Sequence, residues 1–166
     1  MGFNWLVVIL TGFVPLLVGF LWYNPKTFAP VWMRESGITE ESMKGANMGV
    51  IFGLTLLLGI FMSMATTQIV IHQSHYYSIL ANVPEMKDPN SSISQSTTAF
   101  MNTYGREFRT FKHGAFHGLL YTLFLVLPVI GITAMFERRS WTYIWIHVGY
   151  YAVTLMLMGG IISQFA

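Results

Sequence analysis

The chain contains no cysteine, which removes disulfides, thiol catalysis, thiolate zinc sites and iron–sulfur clusters together and leaves any metal chemistry to histidine and carboxylate. Charge is scarce too. Charged residues make up 10% of the 166 positions, against about a quarter in ordinary soluble domains, while 54% are hydrophobic and the mean hydropathy is +0.53. Such a chain belongs in a membrane. Nine Lys and Arg against seven Asp and Glu leave a net charge of +2 and no basic stripe of the kind that nucleic-acid binding requires. Nucleic acid is therefore not an expected partner. The first apolar run also lacks a preceding basic region and is longer than the core of a secretory signal, so it is expected to be retained as a helix.

What the sequence does contain is long uncharged runs. Residues 3 to 25, FNWLVVILTGFVPLLVGFLWYNP, supply about 20 apolar or small residues, enough for a helix across a hydrocarbon layer ~30 Å thick. Further spans are expected near 45–74, 112–136 and 141–165, with the first near 3–24. The fold class is then all-α, an integral membrane four-helix transmembrane bundle with short interfacial helices in its connections, and the 166 residues form a single domain.

The connections carry their own signals. Phe28, Trp32 and Met33 share a face of a short interfacial helix that Gly37 ends, and Thr39 before Glu40 and Glu41 reads as the N-cap of the second long helix. Residues 76–96, rich in Pro, Asn, Ser and Thr, read as a solvated polar loop. Phe100, Tyr104, Phe108 and Phe111 then recur at helical spacing as an amphipathic lead-in to the third span, where Pro128 marks a kink. The turn at 137–140 is so short that the last two spans must form an antiparallel hairpin.

Glycines at four-residue spacing, Gly45, Gly49 and Gly53, predict a close helix contact. So do Gly114, Gly118, Gly149 and Gly159, because helices in lipid associate through packing that small residues permit. Trp22, Tyr23, Pro25, Trp32, Trp141 and Trp145 map to one side as interfacial anchors. Four spans put both termini on one side. The short turn carrying Arg138 and Arg139 favours cytoplasmic short loops and periplasmic termini in a cell inner membrane.

Several of these residues carry a resemblance. Asn4-Trp5 at the start, Gly19-x-x-Trp22-Tyr23-x-Pro25 with the following Phe28 and Trp32, and Trp145-Ile-His-Val-Gly149-Tyr150 before Met158-Gly159 resemble, in order along nearly the whole chain, a bacterial membrane family. It is the family catalogued as domain of unknown function 1761. The resemblance implies a small four-span bacterial membrane protein and no particular activity.

Two groups of residues have chemical potential. His72, His75, His113 and His117 fall at the end of the second span or the start of the third, on one membrane side, with spacings of three and four that put each pair on one helical face. Neutral imidazole ligates zinc, copper, iron or haem, so two such pairs could converge on one metal. The plainer reading makes them interfacial residues satisfied by water and headgroups. A di-iron enzyme of the desaturase type needs about eight histidines and the chain has five. His147, with Tyr150 and Tyr151, forms a candidate intramembrane polar site on the short-loop side, either as a hydrogen bond that orients the bundle or as a proton relay.

The leading functional expectation is a membrane protein without enzymatic activity that acts by helix association, as a homo-oligomer or as an accessory subunit among other membrane subunits. The alternatives are a small oligomeric channel or transporter, and a metal- or haem-binding protein using the histidine cluster. No catalytic residue and no cofactor are expected, a metal being the exception, and the lipid bilayer is the one certain partner.

Overall fold

The computed structural model describes residues 4–166, and among them every regular element is helical. Residue 3, where the first span is expected to begin, lies outside that range. The first span is two helices, α1 (Trp5–Thr11) and α2 (Val14–Trp22). Pro15 is the cause: it has no N–H to give to Thr11, and its ring crowds that carbonyl. Polar groups from other helices meet the interrupted backbone, as irregular structure inside a bilayer requires. Ser63 Oγ donates to the Val8 carbonyl at 2.6 Å and the Tyr150 hydroxyl donates to the Pro15 carbonyl at 2.9 Å.

Interfacial helix α3 (Ala29–Ser36) follows and ends at Gly37 as expected. Thr39 does cap a helix, with a reciprocal bond to Ser42, but that helix, α4 (Glu40–Met43), is one turn long. The chain turns at Gly45, where φ is +85°, a conformation that a side chain disfavours, and Asn47 caps α5 (Met48–Val70). The second span thus begins at Met48 and ends at Val70, short of the expected 45–74.

The segment expected to be a polar loop is mostly helix. It comprises α6 (Gln73–Leu80), a 3-10 turn (Pro84–Lys87) and α7 (Ser92–Tyr104) capped by Ser91. Ser and Thr near a helix start favour capping over disorder, and that signal lies inside the composition that suggests a loop. The aromatic lead-in also stops at Tyr104. Phe108 takes φ +63°, so Phe111 begins a new helix.

The third span consists of α8 (Phe111–Tyr121), a π-helical turn (Thr122–Val126) and α9 (Leu127–Phe136). The expected distortion is real. Pro128 cannot donate one turn back, and the wider turn just before it absorbs the missing bond. The last span is one helix, α10 (Trp141–Phe165), capped by Ser140.

Among the described residues, four helical stretches are long and apolar enough to cross a membrane: Trp5–Trp22, Met48–Val70, Phe111–Phe136 and Trp141–Phe165. Around them the fold is inside out by the standards of a soluble protein. Phe20, Leu21, Phe124 and Phe136 are more than 65% exposed, at 76%, 67%, 77% and 87%. A hydrocarbon solvent removes the cost of that exposure. α10 is the central element, burying Ile144, Val148, Leu155, Met158 and Ile162 against the other spans.

The glycines divide sharply. A Cβ on Gly114 or Gly159 would collide with the other's carbonyl oxygen, and one on Gly118 with the carbonyl of Leu155, so α8 and α10 touch backbone to backbone. Gly149 is covered by the Trp22 ring, 2.9 Å from where its Cβ would stand. Gly45, Gly49 and Gly53 do not make the expected contact within this chain: no other helix approaches any of them, and all three are exposed. The α5 glycine that packs is Gly59, against Gly12. Spacing identifies a ridge of small residues but not which way the ridge faces.

At the short-turn end, Glu35 of α3 accepts a short hydrogen bond from the Ser140 hydroxyl and pairs with Arg34. The Ser140 hydroxyl, and after it the Arg34 guanidinium, hold the Glu35 carboxyl below the usual carboxylate range. A carboxyl depressed in the folded state stabilises it above the unfolded pKa of about 4.3, and the contribution is lost as pH falls through the folded value. Acidification through the folded value of Glu35, which lies below the ordinary carboxylate range, is expected to release α3 from the start of α10. Hydrogen exchange of the 29–36 amides, corrected for intrinsic rate, should quicken at about pH 2 relative to pH 6. Unchanged protection would mean that this bond does not hold α3.

Candidate metal centre

The site is made by a break and a cap. Thr67 bonds back to the Ser63 carbonyl, Ile71 closes the last turn of α5, and the Ile71 side chain is fully buried beside Val70 and Ile162. Burying Ile71 takes the backbone out of helical register, so His72 stands between α5 and α6 rather than on either. Gln73 then anchors the start of α6, its side-chain amide donating to the Glu107 carbonyl at 2.9 Å. Opposite, Thr110 caps α8 by accepting from the His113 amide, which sets His113 in the first turn and His117 one turn on. Because Gly114 and Gly118 press against α10, His113 and His117 are left facing the α5–α6 break.

Three of the four expected histidines meet there. His72 Nε2 and His113 Nε2 are 2.8 Å apart, and one candidate ligand atom from each of His72, His113 and His117 can be chosen so that all three lie within 4.8 Å of one another. The rings of His113 and His117 are 4.5 Å apart, and those of His72 and His117 4.9 Å. His75 is not part of the group; it is exposed, because the break rotates α6 away from the face that a continuous helix would have given it.

A contact of 2.8 Å between two Nε2 atoms requires one to donate and the other to accept, so at least one imidazole is neutral there. Burial, and then the neighbouring His117 and His75, push the His72 pKa below its ordinary value, which keeps its lone pair available at neutral pH. Three nitrogens bound to one tetrahedral ion at about 2.0–2.1 Å lie about 3.3 Å apart, a spacing that the cluster brackets. The same 2.8 Å gap leaves no room for a porphyrin plane between His72 and His113.

Sequence reasoning missed the residues that hold this geometry. Phe108 lies against both His72 and His113, at 6.1 and 4.9 Å between ring centres, in a left-handed backbone conformation that costs about 1–3 kcal/mol. Ser163 of α10 donates to the Phe108 carbonyl at 3.1 Å, while Arg109 Nε donates to the Ser163 carbonyl at 2.8 Å. A strained turn is thus tied to the central helix from two sides. His72 also forms part of the wall of an adjoining cleft of about 480 Å³, with Tyr76, Phe100, Tyr104 and Phe108.

The family model described as "Protein of unknown function (DUF1761)" matches residues 6–163. The chain belongs to the DUF1761 family. The matched range takes in all three triad histidines of this DUF1761 member and the helical segment over 76–96. No curated protein and no solved structure matches the chain.

The other candidate residues of this DUF1761 member sit at the far end of the bundle. Trp22 and Tyr23, expected as interfacial anchors, bond within the bundle: Trp22 Nε1 donates to the Ile146 carbonyl at 3.2 Å, and the Tyr23 hydroxyl lies 3.3 Å from His147 Nδ1. Trp32 packs on Tyr23, with ring centres 5.2 Å apart. Pro25 follows the end of α2 at Trp22. Trp141 and Trp145 are exposed on the outer surface. Matching the depth of His147 to that of Tyr23, both near the short-turn side, was the available signal for their contact.

Proposed function

We propose that this DUF1761 member is an integral membrane metal-binding protein that holds one divalent first-row transition ion with His72, His113 and His117. The observation that carries the reading is the convergence of three imidazoles from two separate chain segments. Gathering three imidazoles at one point of a membrane bundle has little packing value, whereas zinc, copper and nickel all accept imidazole nitrogen. Three protein ligands leave a fourth position for water or a small ligand, the coordination of catalytic rather than structural zinc. Helix association remains the way the bundle is built, through the α8–α10 contact.

The two chain ends are adjacent, with the Asn4 amide 3.4 Å from the Ala166 carbonyl. With the Arg138-Arg139 turn taken as cytoplasmic in a bacterial inner membrane, the ends and the triad both face the periplasm. That is the side from which such a site would meet extracellular metal.

Protein purified in mild detergent without chelator should carry about one equivalent of zinc, copper or nickel per chain, measured by elemental analysis. Reloading chelator-stripped protein with zinc at a hundredfold excess over Kd should stabilise it by about 2.7 kcal/mol. A chain that purifies without metal and whose melting is indifferent to added zinc, copper and nickel would overturn the reading.

A further inference from the structure

We infer that a second site, at the other end of the bundle and independent of the metal reading, binds a neutral membrane-soluble molecule through a carbonyl oxygen that accepts the Nε2–H of His147. About 24 Å of α10 separates His147 from Ser163, the residue that braces the triad's turn. His147 Nδ1 is engaged by the Tyr23 hydroxyl at 3.3 Å, and the ring is held at its face by Tyr143, 4.4 Å between centres. His147 Nε2 is buried and has no hydrogen-bond partner among the described residues.

The tautomer follows by elimination. If Nδ1 carried the proton, the Tyr23 hydroxyl hydrogen and the Nε2 lone pair would both lack a protein partner. With Tyr23 donating to Nδ1, only the Nε2–H is left over. That arrangement is a fixed donor inside a hydrocarbon span, where an unmet N–H is costly.

His147 lines a cavity of about 290 Å³ between α9 and α10, bounded also by Val129, Ile130, Thr133, Tyr143 and Tyr151, and its buried Nε2–H is the group that a ligand there would have to reach. Val129 and Thr133 are exposed on α9, so the cavity opens sideways toward the surrounding lipid. Its outer edge carries Glu137, paired with Arg139 at 3.5 Å, and Arg139 lies over the Tyr143 ring. Aliphatic and aromatic walls, the unmet Nε2–H of His147 beside the hydroxyls of Thr133, Tyr143 and Tyr151, and an opening into lipid together select a flat or slender body with an acceptor oxygen. A quinone ring carbonyl and an acyl ester carbonyl of a phospholipid share that chemistry.

The test uses the full chain with 15N-labelled histidine in nanodiscs of diether phosphatidylglycerol, which has no ester carbonyl. Decylubiquinone is titrated in one arm, and the lipid is exchanged for the diester form in the other. A saturable shift of the His147 Nε2–H resonance in the first arm identifies a quinone-like ligand, and a shift in the second identifies an ester lipid. Whichever probe binds should bind about tenfold or more weakly to His147→Leu. His147→Gln, which keeps a nitrogen donor near the same place, should stay within about threefold of wild type. If neither arm moves the resonance, or if His147→Leu binds as wild type does, the inference is wrong. Should His147→Leu fail to fold, the wild-type resonance alone decides.

Discussion

Gly114→Leu is expected to destabilise the bundle severely. A Cβ at this position meets the Gly159 carbonyl and the Ser163 side chain, and the first of these is backbone of a helix held on several sides. Overpacking a core with flexible neighbours costs about 1–3 kcal/mol; here the neighbour is main chain and the α8–α10 contact must open along its length, so the cost should be at the top of that range or beyond. Against a total stability of about 5–15 kcal/mol, that is enough to lower the melting temperature in detergent steeply. Gly53→Leu is the control. It has the same chemical change and nothing within 4 Å, and should stay within about 0.5 kcal/mol of wild type. Equal melting temperatures for the two variants would remove the α8–α10 contact from the account of stability.

The second large effect concerns the triad. His113→Ala removes the nitrogen nearest to His72 and leaves two ligands, His72 and His117, on opposite sides of the gap. Loss of a residue that merely orients a metal ligand costs about 10–100-fold in affinity, so losing a ligand should cost about a hundredfold or more. His75→Ala should bind metal as wild type does, because His75 stands outside the group. Competition titration with a chromophoric zinc chelator distinguishes the two. Equal losses in both variants would point to loose binding by scattered surface imidazoles.

The spans were legible because a bilayer admits few solutions: a run of about 20 apolar residues in lipid has to be a helix. Helix breaks inside spans were less so. Pro128 announced its distortion, and Pro15 carried the same signal in a run whose uniform hydropathy hid it. Facing was not legible at all for Gly45, Gly49 and Gly53, since in lipid both sides of a helix are apolar and hydrophobic period no longer marks the buried face. The triad was half visible. Depth along the helices placed four histidines together, but the choice of three depended on the buried Ile71 and the strained Phe108, which act through tertiary contacts with α10.

The most direct test of the central claim is X-ray absorption at the zinc edge on protein loaded with one equivalent of zinc. The account predicts a four-coordinate shell with about three imidazole nitrogens at about 2.0–2.1 Å, and loss of the outer imidazole scattering in proportion when His72 or His117 is replaced by alanine. A six-coordinate oxygen shell, or a spectrum unchanged by those replacements, would contradict it.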